Sequence, residues 1–358
     1  MPIKEESFRI GCGRYIQGKG YIAKIGDEVK RLGKSALIVG GKTALSLTRD
    51  KIEKNINCPH EFITHIGSCN DEDAKNIADY AVKNGYQVII GVGGGVICDF
   101  AKLCAHFAGV PAINVPTSSA TCACYTPLSV RYTKEGNTVG TMHYDYEIDC
   151  VIADSEIIAC QPARLLVAGV FDALAKFLEI KHRYSEGDED YPLGLDYAYV
   201  MSARSFKILT DKTQKCIDDM ARGDITDDVE KVIFTTLAAT GVISGIARGS
   251  NQTALAHKFY ETTRFFMPRE SAPYLHGELV GIGLLLQNHF SGEEQNNRVI
   301  EELMKRYNMP RRISDVGIGA DDIDKFYHKI CDSSAIDKTD ASQCARLKKS
   351  LEYLWGLK

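Results

Sequence analysis

Short apolar segments alternate with longer amphipathic segments through the first half of the chain. Apolar runs typical of buried strands occur at residues 36–39, 61–65, 88–90 and 112–115. The segments between them have helical periodicity, and the one over residues 71–84 begins with three acidic residues, which favour a helix start. Because strands separated by helices pair in parallel, the pattern predicts an α/β domain with a doubly wound parallel sheet.

The second half of the chain has a different pattern. Before it, residues 128–132 and 138–143 flank the turn-forming residues 134–137 and are predicted to form a β-hairpin on the sheet. After residue 160 only helical periodicity is present, and it predicts helices at residues 163–183, 193–210, 227–246, 251–262, 275–289, 293–307, 321–331 and 341–357. We therefore predict an α/β domain over residues 1–160 and an all-α domain over residues 161–358.

The composition is that of a soluble globular protein of about two domains, with 358 residues, 44% hydrophobic and 25% charged. A net charge of −4 predicts neither nucleic acid nor an anionic membrane as a partner. The chain starts without an apolar signal region and contains no run of about 18 apolar residues. Its 12 cysteines include no Cys-x-x-Cys pair, which argues against a zinc ribbon. We expect a cytoplasmic protein with reduced thiols.

Three consecutive glycines, Gly93 to Gly95, separate the third predicted strand from a helical segment. This arrangement brings backbone N–H groups and a helix N-terminus to a phosphate, so a nucleotide is the first candidate ligand. Asp99 has two interpretations, as part of that site or as an exposed acid in the first helical turn. Thr117, Ser118 and Ser119 follow the fourth strand, where ligands bind in open α/β sheets.

A second group of candidate residues lies in the helical half. Asp172 interrupts an otherwise apolar helix, His257 lies among small apolar residues, and His276 stands at a predicted helix start. Two imidazoles and a carboxylate are common ligands of a catalytic divalent metal with an open coordination position. Taken singly, each is also compatible with a hydrogen-bonded polar residue of the core, and their spacing does not show that they converge.

The motifs occur in a characteristic order. They are YIQG at residues 15–18, GGGxxxDxAK at 93–102, VPT at 115–117, PLSV at 127–130, PARLLVAG at 162–169, DALA at 172–175 and HGE at 276–278. This ordered set resembles the glycerol dehydrogenase branch of the iron-containing alcohol dehydrogenase superfamily. The resemblance extends from about Tyr15 to Phe290, and the remaining residues share only the helical character.

The resemblance implies a dehydroquinate synthase-like fold, a nucleotide-binding N-terminal domain and a helical catalytic domain. It implies Asp172, His257 and His276 as metal ligands. It places the pyrophosphate of NAD or NADP at Gly93, Gly94, Gly95, Val96, Ile97, Cys98 and Asp99. It places the nicotinamide side at Thr117, Ser118, Ser119, Ala120, Thr126, Leu128 and Tyr132. A homo-oligomer acting on a small molecule is also expected.

Two departures from the glycerol dehydrogenase pattern concern the substrate. Cys122 stands where those enzymes have an Asp that contacts the polyol, and the surrounding sequence resembles hydroxycarboxylate dehydrogenases (2-oxoacid reductases). Lys176 lies one turn beyond Asp172 and could meet a substrate carboxylate, or else neutralise Asp172 or point to solvent. Because iron-binding members have a His at this position, its absence favours zinc, with iron or nickel as alternatives.

A third departure concerns the nucleotide. Gly41 stands where glycerol dehydrogenases have an Asp that holds the adenosine ribose and disfavours a 2′-phosphate. With Lys42 beside it, the sequence predicts that NADP(H) is accepted. The alternative interpretation is a tight turn at Gly41 with a solvated Lys42.

The predicted function is a metal-dependent oxidoreductase that transfers a hydride between NAD(P) and a small polar alcohol or carbonyl compound. Cys122 favours a 2-hydroxy acid and 2-oxoacid pair, and glycerol or a vicinal diol is the alternative. A cyclase of the dehydroquinate synthase type is a further alternative, as is a nucleotide-binding protein without activity. The cyclase needs several cations near its substrate, and few are present in the candidate segments, among them Lys176, Arg131 and Arg248.

Overall fold

The structure, a computed structural model, describes residues 8–184 and 194–356. Its strands are β1 (Tyr15–Gly18), β2 (Ala36–Gly40), β3 (His60–Thr64), β4 (Val88–Gly93), β5 (Ala112–Pro116), β6 (Leu128–Tyr132), β7 (Thr138–His143) and β8 (Cys150–Asp154). Its α-helices are α1 (Ile25–Leu32), α2 (Lys42–Asn55), α3 (Asp71–Lys83), α4 (Gly95–Ala108), α5 (Ser155–Ala159), α6 (Ala163–Arg183), α7 (Leu195–Ala221), α8 (Asp227–Phe234), α9 (Thr240–Ala247), α10 (Leu255–Phe266), α11 (Pro268–Ser271), α12 (His276–Ser291), α13 (Glu294–Arg306), α14 (Ile323–Cys331) and α15 (Ala341–Gly356).

Six strands form one parallel sheet in the order β1-β8-β5-β4-β2-β3. This confirms the predicted fold class, and the described residues after residue 160 contain no strand. β6 and β7 form the predicted hairpin, with Leu128 opposite His143. Neither β1 nor β8 is among the predicted strands, although β8 has the fully buried apolar run of a central strand. β1 is only four residues long and half-buried throughout, so it has neither an apolar run nor an alternation of apolar and polar residues.

Helices cover both faces of the sheet. On β2, Ala36 and Ile38 belong to one apolar core, with residues of α1 and α2, whereas Leu37 and Val39 belong to a second core, with residues of α3 and α4. A strand that is buried on both faces needs apolar residues at successive positions. This explains why the central strands are recognisable in the sequence as unbroken apolar runs.

The described chain folds into two compact units. One consists of Arg9–Leu166 and Asp211–Gly245 and includes the sheet; the other consists of Val167–Thr210 and Ile246–Lys358, as far as these segments are described. The division into domains at residue 160 stays a prediction, because compact units do not show which segments fold independently.

Two predicted helices have different bounds in the structure. α7 continues past residue 210 to Ala221, because no glycine or proline interrupts the sequence before Gly223, which has a φ of +79°. The predicted helix 251–262 begins as an α-helix only at Leu255.

One continuous helical stretch, Asp227–Ala247, is long and apolar enough to cross a membrane by length and composition alone. Within its apolar window of 18 residues, 56% is buried inside the protein. It is weak evidence for a membrane span, because the core helix of a globular protein meets the same criterion.

Candidate active site

Three helices of one compact unit bring Asp172, His257 and His276 together. Asp172 lies in the middle of α6, His257 in the first turn of α10, and His276 at the start of α12. The Nε2 atoms of His257 and His276 lie 3.4 Å and 3.3 Å from the same oxygen, Oδ1 of Asp172. One candidate ligand atom from each residue lies within 4.8 Å of the other two. Asp172 and His257 are buried, so solvent reaches the cluster mainly at His276, whose side chain is 28% exposed.

Two glycines on α12 allow the three helices to approach so closely. A Cβ atom at Gly277 would overlap the carbonyl oxygen of Ala168 on α6, and one at Gly283 would overlap the backbone of Ala256 on α10. Because these contacts are made to backbone atoms, rotation of a flexible side chain would not relieve the overlap. The small residues therefore set the distance between the helices that carry the cluster.

His276 is held from both sides of its position in the chain. The guanidinium of Arg264 donates to the carbonyl oxygens of Ser271 (2.6 Å) and Tyr274 (2.6 Å), which fixes the segment that leads into α12. Glu278 accepts from the backbone N–H of Leu275 at 2.8 Å and so caps the same helix start. The ring of Tyr260 contacts the His276 ring edge-on, with centroids 4.3 Å apart.

His257 is held by a fourth acidic side chain, Glu179. This carboxylate lies on α6, is fully buried, and accepts from Nδ1 of His257 at 2.5 Å. Its other oxygen accepts from the backbone N–H groups of Ala254 (2.6 Å) and His257 (2.9 Å). Glu179 therefore determines both the orientation of the ring and the start of α10, which explains why this helix begins later than predicted.

The charges of the cluster depend on one another. Burial alone would raise the pKa of Asp172, but the charge of His276 and the hydrogen bonds from both imidazoles hold it well below its usual range. Burial alone would lower the pKa of His257, but the charge of Glu179 and the hydrogen bonds to both carboxylates raise it to about 9. A cation that binds Nε2 of His257 must therefore displace a proton at neutral pH.

The glycine turn lies in the other compact unit, at the carboxyl end of β4. Gly93 ends the strand, Gly94 is the N-cap of α4, and no side chain caps this helix start. Gly94 and Gly95 are partly exposed and Val96 is exposed, so the backbone of this turn is accessible to a ligand. The thiol of Cys98 and the carboxylate of Asp99 are buried beneath it.

Asp99 is not the exposed first-turn acid of the alternative interpretation. It forms a buried ion pair with Lys102, with 2.8 Å between Oδ1 and Nζ, and its Oδ2 accepts from the backbone N–H of Val130 at 3.0 Å. The carboxylate thus connects α4 to the β-hairpin. Among residues 93–99, the backbone of Gly94 to Ile97 is accessible to a phosphate.

The segment after β5 lies beside the glycine turn. A Cβ atom at Gly94 would come within 3.2 Å of Oγ of Ser118, and one at Gly95 within 2.7 Å of Oγ1 of Thr121. Ser119 exchanges two hydrogen bonds with the buried side chain of Gln161. The glycine turn and the polar segment, which the sequence assigns to the same ligand, are therefore adjacent in the structure.

The remaining residues predicted to contact the nicotinamide differ in their surroundings. Thr117 and Ala120 are partly exposed, Thr126 is buried, and Leu128 is partly buried. Tyr132 packs against the apolar core on the α3 and α4 side of the sheet. Tyr132 is partly exposed, like Thr117 and Ala120, but its packing against this core distinguishes it from them.

Gly41 and Lys42 lie where β2 meets α2. Gly41 is the N-cap with φ −73° and ψ 152°, an extended conformation that any residue adopts, and Lys42 begins the helix. A Cβ atom at Gly41 would make only ordinary contacts, the nearest at 3.7 Å to Ile97. Since Ile97 belongs to the glycine turn, Gly41 lies beside the candidate nucleotide site. The first turn of α2 contains no acidic residue.

Comparisons with known proteins identify the family of the chain. Residues 12–155 match the family described as iron-containing alcohol dehydrogenase. A glycerol dehydrogenase of Escherichia coli strain CFT073 is 31% identical over 280 residues, 77% of this chain and 75% of that protein. Hydroxycarboxylate dehydrogenase A of Escherichia coli K12 is 27% identical over 89% of this chain and 87% of its own. A probable glycerol dehydrogenase from Sinorhizobium meliloti has a TM-score of 0.81, at 23% identity, over 98% of both chains.

The chain belongs to the iron-containing alcohol dehydrogenase family. Within that family it lies in the glycerol dehydrogenase branch, as the ordered motifs predict. It is an oxidoreductase of a metal-dependent, NAD(P)-binding family, which confirms the predicted enzyme class. The solved structure confirms the fold alone.

The cluster of Asp172, His257 and His276 fits the metal dependence of the iron-containing alcohol dehydrogenase family. Two ligands at about 2.1 Å from a tetrahedral metal ion are roughly 3.4 Å apart. The distances of 3.4 Å and 3.3 Å from the Asp172 oxygen to the two Nε2 atoms have this value. The ionised Asp172 supplies negative charge, and three protein ligands leave a coordination position open for substrate.

Lys176 lies beside this cluster on the same face of α6. Its side chain is buried, with 5% of the residue exposed, and no hydrogen bond or ion pair joins it to another described residue. Its charge helps to lower the pKa values of both Asp172 and His257. It does not point into solvent, as one interpretation of the sequence expects, and it makes no ion pair with Asp172. The other predicted substrate residue, Cys122, lies partly exposed in the loop that follows β5.

Sequence reasoning assigned no role to two residues that hold the candidate sites: Glu179 in one unit, and Lys102, the last residue of the GGGxxxDxAK motif, in the other. Glu179 follows Asp172 and Lys176 at helical spacings of seven and three residues, so the three charged residues share one face of an apolar helix. Lys102 follows Asp99 by three residues, which is the spacing of an ion pair within a helix. Both spacings are present in the sequence and could have indicated these residues.

Proposed function

We propose that this chain interconverts a 2-hydroxy acid and the corresponding 2-oxoacid, with NAD(P) as the hydride carrier. The observation that carries the proposal is Lys176, a residue that is largely buried beside the candidate metal ligands and whose ammonium has no partner among the described residues. The side chain is mostly removed from water, so a carboxylate of the substrate that paired with its ammonium would stabilise the charge. Cys122 supports the same substrate class, because a carboxylate at that position would repel an acidic substrate.

Each part of the site has a role in this reaction. A divalent cation held by Asp172, His257 and His276 would polarise the oxygen of the substrate hydroxyl or carbonyl. Lys176 would pair with the carboxylate and so fix which face of the substrate carbon is presented. The polar segment from Thr117 to Ala120 would hold the nicotinamide, whose C4 exchanges hydride with that carbon. We propose zinc as the cation, because Lys176 leaves only three protein ligands.

The nucleotide is proposed to include NADP(H). Gly41 places no carboxylate at the end of β2, and Lys42 adds a cation at the first position of α2. Because a carboxylate at this position would repel a 2′-phosphate, its absence removes the main barrier to NADP(H).

Glycerol or a vicinal diol is the second candidate substrate. It is favoured by the relationship to the glycerol dehydrogenase of Escherichia coli strain CFT073, the relative with 31% identity. The two candidates differ in charge, so Lys176 separates them: a neutral polyol would leave its ammonium unpaired.

The experiment compares substrates on zinc-loaded protein by following NADPH and NADH absorbance. We expect turnover of 2-oxobutanoate or 2-oxoglutarate and none, or far less, of dihydroxyacetone and glycerol. Turnover of the polyol pair alone would contradict the proposal and assign the chain to the second candidate.

The variant Lys176→Met tests the role of the ammonium. A hydrogen bond between charged groups contributes about 1.5–3 kcal/mol, so kcat/KM for the oxoacid should fall roughly 10- to 100-fold. Lys181→Met is the matched control, because Lys181 lies on the same helix but forms a partly exposed ion pair with Glu293. It should leave kcat/KM unchanged. Equal effects of the two variants would show that Lys176 does not contact the substrate.

A further inference from the structure

Within residues 8–184 and 194–356, the Glu179 carboxylate makes its hydrogen bonds at the start of α10. Oε1 accepts from the backbone N–H groups of Ala254 and His257, and Oε2 accepts from Nδ1 of the His257 ring. Glu179 is completely buried, so water does not compete for these positions. One side chain on α6 thus holds both the backbone and the ring of a candidate metal ligand on another helix.

The chemistry of the contact determines which nitrogen can bind a metal. An ionised carboxylate only accepts hydrogen bonds, so Nδ1 of His257 must be the donor. In the neutral ring the proton then resides on Nδ1, and the lone pair is on Nε2. Nε2 is the atom that faces Oδ1 of Asp172, at 3.4 Å.

We propose that Glu179 is a positioning residue for metal binding, which acts by fixing the tautomer and the ring orientation of His257. The inference rests on the proposed function only in requiring that Asp172, His257 and His276 bind a divalent cation. The competing explanation is that Glu179 merely caps α10 and contributes to stability alone. The two explanations differ in what they predict for cation affinity.

Glu179→Gln distinguishes the two explanations, because it preserves the shape of the side chain and reverses the direction of one hydrogen bond. If the amide oxygen keeps the two backbone N–H groups, the amide NH2 faces Nδ1 of His257 and donates to it. The neutral ring then carries its proton on Nε2, where it blocks coordination. Loss of such an outer partner weakens metal binding by about 10- to 100-fold, and we expect a loss of this size.

Two readouts besides activity are used. Zinc affinity is measured by competition with a chromophoric chelator, and coordination is followed through the visible absorption of the Co²⁺-substituted protein. We expect weaker zinc binding and an altered Co²⁺ spectrum for Glu179→Gln. Wild-type affinity together with a wild-type spectrum would overturn the proposal, whatever the melting temperature.

A matched control is available in the other compact unit. Asp154 is also fully buried and caps backbone N–H groups, those of Gly20 (3.2 Å), Ile22 (2.9 Å) and Glu156 (3.0 Å). Asp154→Asn should lower the melting temperature and leave zinc affinity unchanged. An equal loss of zinc affinity in both variants would attribute the effect to general destabilisation and overturn the proposal.

Glu179→Asp is the second variant, to be used if Glu179→Gln does not fold. Its shorter carboxylate keeps the acceptor but cannot reach all three donors at once, so a smaller loss of zinc affinity is expected. A Glu179→Asp protein with wild-type affinity would overturn the proposal. If wild-type protein itself binds no divalent cation, the ligand assignment in the proposed function fails instead.

Discussion

Lys102 connects the glycine turn to the loop that carries Cys122. Its side chain is fully buried, and its ammonium donates to the carbonyl oxygens of Ala123 (2.6 Å), Thr126 (2.9 Å) and Leu128. A buried charge is tolerated only where it is paired and hydrogen-bonded, so these carbonyls are held in one arrangement. Asp99 completes the pairing, which explains why this acid is buried beneath the turn instead of facing a ligand.

Gly41→Asp tests the preference for the nucleotide at the scale of one residue. The extended backbone and the 3.7 Å distance to Ile97 accept a side chain here. The new carboxylate would repel a 2′-phosphate, and we expect the KM for NADPH to rise roughly 100-fold while that for NADH changes little. Steady-state kinetics with both nucleotides measure the ratio. Gly41→Ala controls for volume, and an equal rise for both nucleotides would refute the argument.

The residue types identified the three candidate metal ligands but not Glu179, which holds one of them in place. A carboxylate in an apolar helix and two histidines among small residues are unusual enough to mark Asp172, His257 and His276 as candidates. Their convergence depends on how three helices pack, which spacing along the chain does not contain. The spacing on α6 could have marked Glu179 as a candidate, but its role could not be predicted, because its partners Ala254 and His257 lie some 75 residues away in sequence.

At the scale of the element, segments with a clear pattern of apolar and polar residues could be predicted whatever their length. α6 has the predicted bounds, Ala163–Arg183, and so do both strands of the hairpin. β1 was missed because its four half-buried residues have no pattern of their own. It is a strand because β8 pairs with it, and that pairing lies more than 130 residues away in sequence.

Gly277→Ala tests the packing of α12 on α6. The new methyl group would overlap the carbonyl oxygen of Ala168, and such overpacking costs about 1–3 kcal/mol of stability. Because His276 is the neighbouring residue, zinc affinity should fall with stability. Urea unfolding and chelator competition measure the two effects.

Gly281→Ala is the matched control on the same helix. Its methyl group would meet Phe171 and the flexible ends of Met304 and Met309 at 3.2–3.3 Å, where small shifts suffice. We expect a stability within about 1 kcal/mol of wild type, since alanine also favours the helix. Equal destabilisation by both substitutions would contradict the specific role of Gly277.

At the scale of the whole molecule, the segment Asp211–Gly245 belongs to the same compact unit as the sheet. Glu230 on α8 accepts hydrogen bonds from Gln17 of β1 (2.6 Å) and from Ser155 (2.6 Å). Helical periodicity predicts that this segment is helical, but it does not show which part of the chain the segment packs against. The compact units therefore do not follow the order of the chain, and the division into domains at residue 160 stays a prediction. The homo-oligomer also stays a prediction.

The candidate ligand sites are distributed over the two units. Asp172, His257, His276 and Glu179 lie in one, and the glycine turn lies in the other. None of the described residues named for one site is also named for the other, so each ligand should bind where its own unit is intact. Nucleotide affinity is therefore expected to be largely independent of the metal.

Asp172→Asn makes this separation measurable. The amide keeps the shape of the carboxylate but loses its charge, so zinc affinity should fall and turnover should drop by at least roughly 1000-fold. NADPH affinity, measured by the fluorescence of the bound nucleotide, should remain within about twofold of wild type, because the glycine turn is untouched. Chelator-treated wild-type protein should also lose turnover and keep its NADPH affinity. Added zinc should restore turnover of the wild-type protein but not of Asp172→Asn. Retained turnover would refute the ligand assignment, and a parallel collapse of NADPH affinity would show that the two sites are coupled.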